Sequence, residues 1–311
     1  MVQKNSVTLH KERIIVIAGP TGVGKSDYGV YLAKKYNGEV ISADSVQFYE
    51  GFDIGSGKLT NEEMQGIPHH MLNIADPREH FTVIRFLELA KPIISDIIRR
   101  GKIPFVVGGT GFYINALLHG YNCGNTGPDL CLREKLDKLH QLKGRGYLYD
   151  YLKIIEPTTR IDPNDIVRII RRLEMLLSPL FDKDNAPDYA DIYDALLIIL
   201  DADRGKLDEF AEKRIRGMIE SGFEEEVRHM RKFYETRVFN SVGYREMKHY
   251  LCNQGDISMK ETIVEMKKSY HALIKKQQTF FRWIKWENKV YSIDGDKNTA
   301  NNAVKRFLEQ K

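Results

Sequence analysis

Residues Gly19-Pro20-Thr21-Gly22-Val23-Gly24-Lys25-Ser26 fit the pattern G-x-x-x-x-G-K-[ST], and no other stretch constrains the fold as strongly. In such a loop the glycines let the backbone turn tightly and aim several N–H groups inward, the lysine adds a positive charge, and the serine hydroxyl can hold Mg2+. The pattern has this meaning only when a strand leads into the loop and a helix leads out. Both flanks agree: Arg13 to Ala18 reads as a short buried strand, and Asp27 to Tyr36 continues as a helix whose N-terminus faces the anion. Gly19, Thr21, Gly22, Val23, Gly24, Lys25 and Ser26 are therefore expected to bind a diphosphate or triphosphate, with Ser26 as the metal ligand. The loop alone leaves open whether the phosphate is transferred, hydrolysed or expelled.

Three further apolar runs, Glu39 to Ala43, Ile103 to Val107 and Ala195 to Leu200, alternate with helical patterns, the signature of a parallel α/β sheet flanked by helices. Residues 121–194 change character, with charged helical patterns broken by Gly144, Gly146, Pro157, Pro163, Pro179 and Pro187. They read as a smaller helical insertion domain, leaving 1–120 and 195–311 as a phosphate-loop core that ends in basic helices. A chain of 311 residues with 42% hydrophobic residues is long enough for this division. No run of about eighteen apolar residues is present and residues 1–12 are polar, so neither a membrane span nor a signal peptide is expected and the cytoplasm is the expected location. Cys123, Cys131 and Cys252 are too scattered for a zinc site or disulfide framework. The net charge of +4 permits an anionic partner without demanding one.

In open α/β sheets ligands bind beyond the carboxyl ends of the strands. Asp44 and Thr110 follow two such ends and should converge on the loop's pocket. Asp44 suits a general base, a metal ligand or a helix N-cap, and Thr110 a site residue or a turn residue between glycines. Leu196 to Asp201 has the form of a Walker B strand, which with the loop would make a kinase or ATPase in which Asp201 holds Mg2+.

Six segments in order, Gly19 to Ser26, Ser42 to Ser45 with Gln47 and Tyr49, Gly51 to Gly55, Val107 to Thr110, Asp162 to Asp165, and Val242 to Glu246, resemble the tRNA dimethylallyltransferases over residues 13–286. The resemblance implies transfer of a dimethylallyl group from dimethylallyl diphosphate to N6 of adenosine 37, beside the anticodon of tRNAs that read codons beginning with U. The loop would then cradle a leaving group, with Mg2+ as cofactor. By the same resemblance Asp44 accepts the amine proton, Thr110 orients the reacting groups, Gln47 reads the adenine edge and Arg214 reaches the diphosphate. It also implies tRNA anticodon stem-loop contacts from Asp44, Ser45, Val46, Gln47, Arg168, Arg171, Gly243, Tyr244, Arg245 and Lys275. A monomer is the default expectation.

Departures from the resembled pattern are Met218, where a second arginine follows Arg214 by one helical turn, His271 in place of arginine, and Leu177 to Leu180 in place of Ser-Gly-Lys. They motivate an alternative, a tRNA-binding paralogue with reduced catalysis. Residues 261–286 read as an amphipathic helix, one stripe apolar and the other, with Lys268, His271, Lys275 and Arg282, basic. Phe280, Trp283 and Trp286 read as core.

Overall fold

The computed structural model describes residues 11–120, 129–144, 146–179, 192–253, 255–293 and 296–310. The chain divides into two compact units, one of residues 1–119 and 191–311, the other of residues 120–190. The expected insertion start at 121, together with Cys123, Leu180 and Pro187, lies outside the described residues.

The larger unit holds a parallel sheet in the order β3-β2-β4-β1-β5-β6. Its strands are β1 (Arg13–Ala18), β2 (Gly38–Ser42), β3 (His69–His70), β4 (Ile103–Gly108), β5 (Asp194–Asp201) and β6 (Lys289–Ile293). In β1 every residue from Ile14 to Ala18 is buried. Ile14, Val16 and Ala18 pack on one side with Ile41, Val106 and Leu197; Ile15 and Ile17 pack on the other with Val40, Phe105 and Ile198. A strand apolar on both faces is stable only when helices cover both. α1 (Lys25–Lys35) and α11 (Lys297–Glu309) cover one face through Tyr28, Leu32, Val304 and Phe307. The other is covered by α2 (Val83–Arg99), α3 (Gly111–His119), α7 (Arg204–Glu220), α8 (Phe223–His229), α9 (Tyr244–Cys252) and α10 (Met259–Trp283). The connections leaving β1 and β4 run in opposite directions across the sheet, which opens a crevice at their carboxyl ends.

Four strands were legible as apolar runs; β3 and β6 were not. β3 has two residues, too few for any periodicity, and β6 lies at the sheet edge with Lys289 at its start. The helix expected to run to Trp286 stops at Trp283, and Ile284 turns out of it with ψ near 119°. The indole of Trp286 donates to the Ala195 carbonyl at 2.7 Å, so it is core, whereas Trp283 is 73% exposed and the core expectation fails there. The stripes of α10 agree with the pattern: Met266, Tyr270, Ile274 and Phe281 are buried, and Lys268, His271, Lys275 and Arg282 are exposed.

The smaller unit contains α4 (Leu130–Lys143), α5 (Tyr147–Ile155) and α6 (Ile166–Leu177) around Leu136, Leu148, Leu152, Ile169 and Leu173. Glu174, 2% exposed, accepts from Arg133 at 2.9 and 2.8 Å, from the Asp129 N–H at 2.6 Å, and from Arg171.

Candidate active site

The phosphate loop follows β1 and delivers Lys25 as the first residue of α1. Two glycines make this path possible. Gly24 caps α1 at φ 86°, the left-handed region that L side chains avoid. At Gly19 a Cβ would stand 2.2 Å from the Leu200 carbonyl oxygen, so only glycine lets β1 and β5 close together there. The resulting cavity, of about 480 Å³, is lined by the loop from Thr21 to Asp27, by Asp44, Gln47, Ser56 and Gly57, and by α7. Lys25 Nζ donates to the Pro20 carbonyl at 2.6 Å. Burial depresses its pKa to about 8, a pull that the Asp44 carboxylate opposes and the Arg214 guanidinium reinforces. Asp44, Lys25 and Arg214, far apart in sequence, are thus brought into one electrostatic neighbourhood.

Asp44 does not cap a helix. Its Oδ1 accepts the Val46 N–H at 3.0 Å in a turn that follows β2. Thr110 joins this turn to the end of β4: its Oγ1 accepts the Ser45 N–H at 3.0 Å and its own N–H donates to the Ala43 carbonyl at 3.3 Å. The two strand ends therefore meet, but only Asp44 lines the cavity; Thr110 supports the Ser45 turn from outside it. Gln47 lines the cavity, but its carboxamide is engaged within the protein, accepting from Ser42 Oγ at 2.8 Å and donating to the Gly57 carbonyl at 3.2 Å. Val46 packs against the core.

α7 presents Phe210, Lys213, Arg214 and Gly217 to the cavity at i, i+3, i+4, i+7 spacing. Arg214 donates to the Gly55 carbonyl at 3.1 Å and lies 5.8 Å from the Tyr270 ring centre, while its Nε is buried with no partner. Met218 is 5% exposed and accepts from the Tyr270 hydroxyl at 3.5 Å. Position 218 thus faces α10, and a charge-assisted donor is to be sought on the 210–214 side of α7 instead.

Two kinds of residue were missed in the sequence. Glu226 accepts the N–H groups of Asp53, Ile54 and Gly55 at 3.1, 2.6 and 3.2 Å and the Tyr244 hydroxyl at 2.6 Å, and so fixes the backbone that holds Arg214. Gln277 and Gln278 of α10 reach the phosphate loop and Asp201, respectively. A lone acid amid Glu224, Glu225 and Glu226, and two glutamines in a basic run, carry no signal without tertiary partners.

Asp201 is not a cavity residue. Its Oδ1 accepts from the Ala202 N–H at 2.9 Å and from Gln278 at 2.8 Å, so the Walker B-like strand does not deliver its acid to this cavity. Among the described residues no group of three His, Cys, Asp or Glu side chains is arranged to hold a metal ion.

Of the residues assigned to RNA, Tyr244 is fully buried against Phe52, Phe223 and Phe239, so its ring is scaffold and not a base contact. Gly243, also buried, precedes α9 at φ 93°. Arg245 is bound to Glu246 and, at 3.0 Å, to Ser269 Oγ. Lys275 is exposed on α10. In the smaller unit Arg168 is exposed, with an i,i+3 contact of 3.3 Å to Asp165, whereas Arg171 is held by Glu174. No helix among the described residues is long and apolar enough to cross a membrane.

Residues 47–283 match the IPP transferase family and residues 12–76 the isopentenyl transferase family. A tRNA dimethylallyltransferase of Halalkalibacterium halodurans is 39% identical over 314 residues, 97% of this chain and 99% of that protein. One from Exiguobacterium is 37% identical over 92% of this chain and 94% of its own length. Among solved structures, the full-length tRNA isopentenylpyrophosphate transferase of Bacillus halodurans superposes with a TM-score of 0.70 at 36% identity, covering 96% of this chain and 97% of that one. A eukaryotic dimethylallyltransferase acting on tRNA gives 0.77 at 28% identity, covering 94% and 77%.

Proposed function

The chain belongs to the IPP transferase family, and we propose that it transfers a dimethylallyl group from dimethylallyl diphosphate to N6 of adenosine 37 in tRNAs that read codons beginning with U. The products are N6-isopentenyladenosine and diphosphate. The observation that carries this reading is a cavity where a phosphate-loop lysine with a depressed pKa and an arginine with an orphaned Nε face the same space as a carboxylate. Two half-buried cations that share a single carboxylate call for a polyanionic ligand, and the carboxylate beside them calls for a proton to accept.

In this reading the exocyclic amine attacks C1 of the donor as the allylic C–O bond breaks, the electron pair leaves with diphosphate, and the amine proton passes to Asp44. Lys25, Arg214 and the loop amides stabilise the charge that grows on the leaving group. Thr110 holds the Ser45 turn and with it the direction of Asp44. Mg2+ suits Ser26, because magnesium commonly binds few protein oxygens and completes its shell with phosphate oxygens and water; when bound it would neutralise charge on the diphosphate. A buried pocket cannot reach a stacked base, so adenosine leaves the anticodon stack at a cost of a few kcal/mol that phosphate contacts must offset. Arg168 and Lys275, exposed and basic, are the side chains assigned to those contacts. We assign a monomer acting in the cytoplasm.

The deciding assay supplies purified protein with Mg2+, dimethylallyl diphosphate and unmodified tRNA bearing A36-A37-A38, without ATP. Released diphosphate and prenylated adenosine are expected, with Asp44→Ala losing most turnover but keeping tRNA affinity. ATP turnover with no prenylated product would replace this reading with the kinase one.

A further inference from the structure

Gln277 makes two hydrogen bonds that tie the RNA-side helix to the donor-side loop. Its Oε1 accepts the Thr21 N–H at 2.9 Å, and its Nε2 donates to the Gly109 carbonyl at 3.0 Å. The amide's orientation is fixed by chemistry, since a backbone N–H only donates and a carbonyl only accepts. One carboxamide thereby sets the gap between the loop after β1 and the loop after β4. Lys25 Nζ lies in that gap, 3.7 Å from where a Gly109 Cβ would sit, and any such Cβ would stand 2.7 Å from the Gln277 amide. The neighbouring Gln278 donates to Asp201 at 2.8 Å, so adjacent glutamines bind the carboxyl ends of β1, β4 and β5. Buried Ile274 and Phe281 anchor α10 on either side.

We propose that Gln277 is a positioning residue for the diphosphate, a latch that holds the crest of the phosphate loop at its working distance from Gly109. This rests on the reading of the cavity as a diphosphate site. Each polar end of the side chain makes one bond to backbone, one to each of the two loops. Lys275 and Lys276, in the same turn and exposed, remain on the RNA side. Freed of the latch, the Thr21 amide loses its partner, the loop samples other conformations, and the N–H groups that meet the anion are no longer pre-set.

The test uses the full chain and titrates Gln277→Ala and wild type with inorganic diphosphate and Mg2+ by calorimetry, and with a tRNA anticodon stem-loop by fluorescence anisotropy. Loss of two hydrogen bonds should weaken diphosphate binding about ten-fold and raise KM for dimethylallyl diphosphate to match, with the RNA Kd within about two-fold of wild type. Gln277→Met, of similar length, is read alongside so that a packing defect in the alanine variant does not decide the result. A folded variant with unchanged diphosphate affinity overturns the latch. So does a variant that loses RNA affinity instead, or one whose kcat falls with KM unmoved, as a purely structural role would give. If wild type itself fails to bind diphosphate, the reading of the cavity fails and the latch with it.

Discussion

Glu39, at the amino end of β2, and Lys25, just past the carboxyl end of β1, are ionisable groups at opposite ends of one sheet, the first buried and the second half-buried. Glu39 is 1% exposed and its carboxylate is fully matched: Arg100 binds both oxygens, Lys102 donates to one and His70 meets the other, each of the latter two at 2.8 Å. The Arg100 hydrogen bonds, with Lys102 and His70, hold its pKa far below the usual carboxylate range against the opposing effect of burial. Lys25 has a carbonyl and a cavity instead, and its pKa falls to about 8 because burial outweighs the Asp44 charge. A buried charge that the protein matches itself holds strands together; one left short of counter-charge is held ready for a ligand that brings it. The smaller unit repeats the contrast, with Arg171 held by Glu174 and Arg168 facing solvent.

The contrast breaks most sharply at Lys25→Met. If the lysine stabilises the leaving group, turnover falls about a thousand-fold. The same change should raise the Tm of the ligand-free protein by a few degrees, since it removes a poorly solvated ammonium. A fall in Tm with turnover intact would make Lys25 a structural charge like Glu39. The opposite response is expected of Glu39→Gln, which leaves cations around a neutral amide: about 3 kcal/mol of stability, or roughly 6 to 12 °C in Tm, with KM for the donor unchanged. Calorimetry and initial rates check both.

Acidity separates the two groups next. An anion favours charged Lys25, so diphosphate affinity should hold below pH 8 and then decline by up to about ten-fold per pH unit as the ammonium deprotonates. For stability the sign reverses: the unfolded chain keeps this proton to about 10.5 and the folded one gives it up near 8, so the unfolded state binds more protons between them. Stability should rise with pH across that window relative to Lys25→Met, and a flat difference would refute the depressed pKa. Glu39, with its pKa lowered, contributes stability that is present above its unfolded value near 4.5 and lost in acid. The smallest effect is expected at Arg168→Glu, roughly three- to five-fold weaker tRNA binding with a salt slope lower by about one, measured by anisotropy over a range of salt concentrations. An unchanged slope would remove Arg168 from the RNA contacts.

The local rules served best where one residue type answers to one constraint. The apolar runs of β1, β2, β4 and β5 and the glycines of the loop were readable because burial on two faces and a left-handed turn each admit few residues. Asp44 reaches the cavity because strand ends locate a crevice, while Thr110 meets only the Ser45 turn beside it. Tyr244 misled because a motif tyrosine and a core tyrosine look alike until Phe52 and Phe223 are seen against it. Asp201 misled in the same way, its apolar run being real and its acid already bound to Gln278.

By itself, then, the sequence determined that a parallel sheet would carry a phosphate loop at its carboxyl edge, since periodicity and glycine placement act over a few residues. Which polar groups are spent within the protein and which are left open to a ligand was decided only by tertiary structure. Gln277 with Thr21, Glu226 with Ile54, and Arg214 with its unmatched Nε are partnerships, or the lack of one, across more than 100 residues of chain. No local pattern encodes whether a buried charge will meet its partner, because that depends on which distant backbone the fold brings within about 3 Å of it.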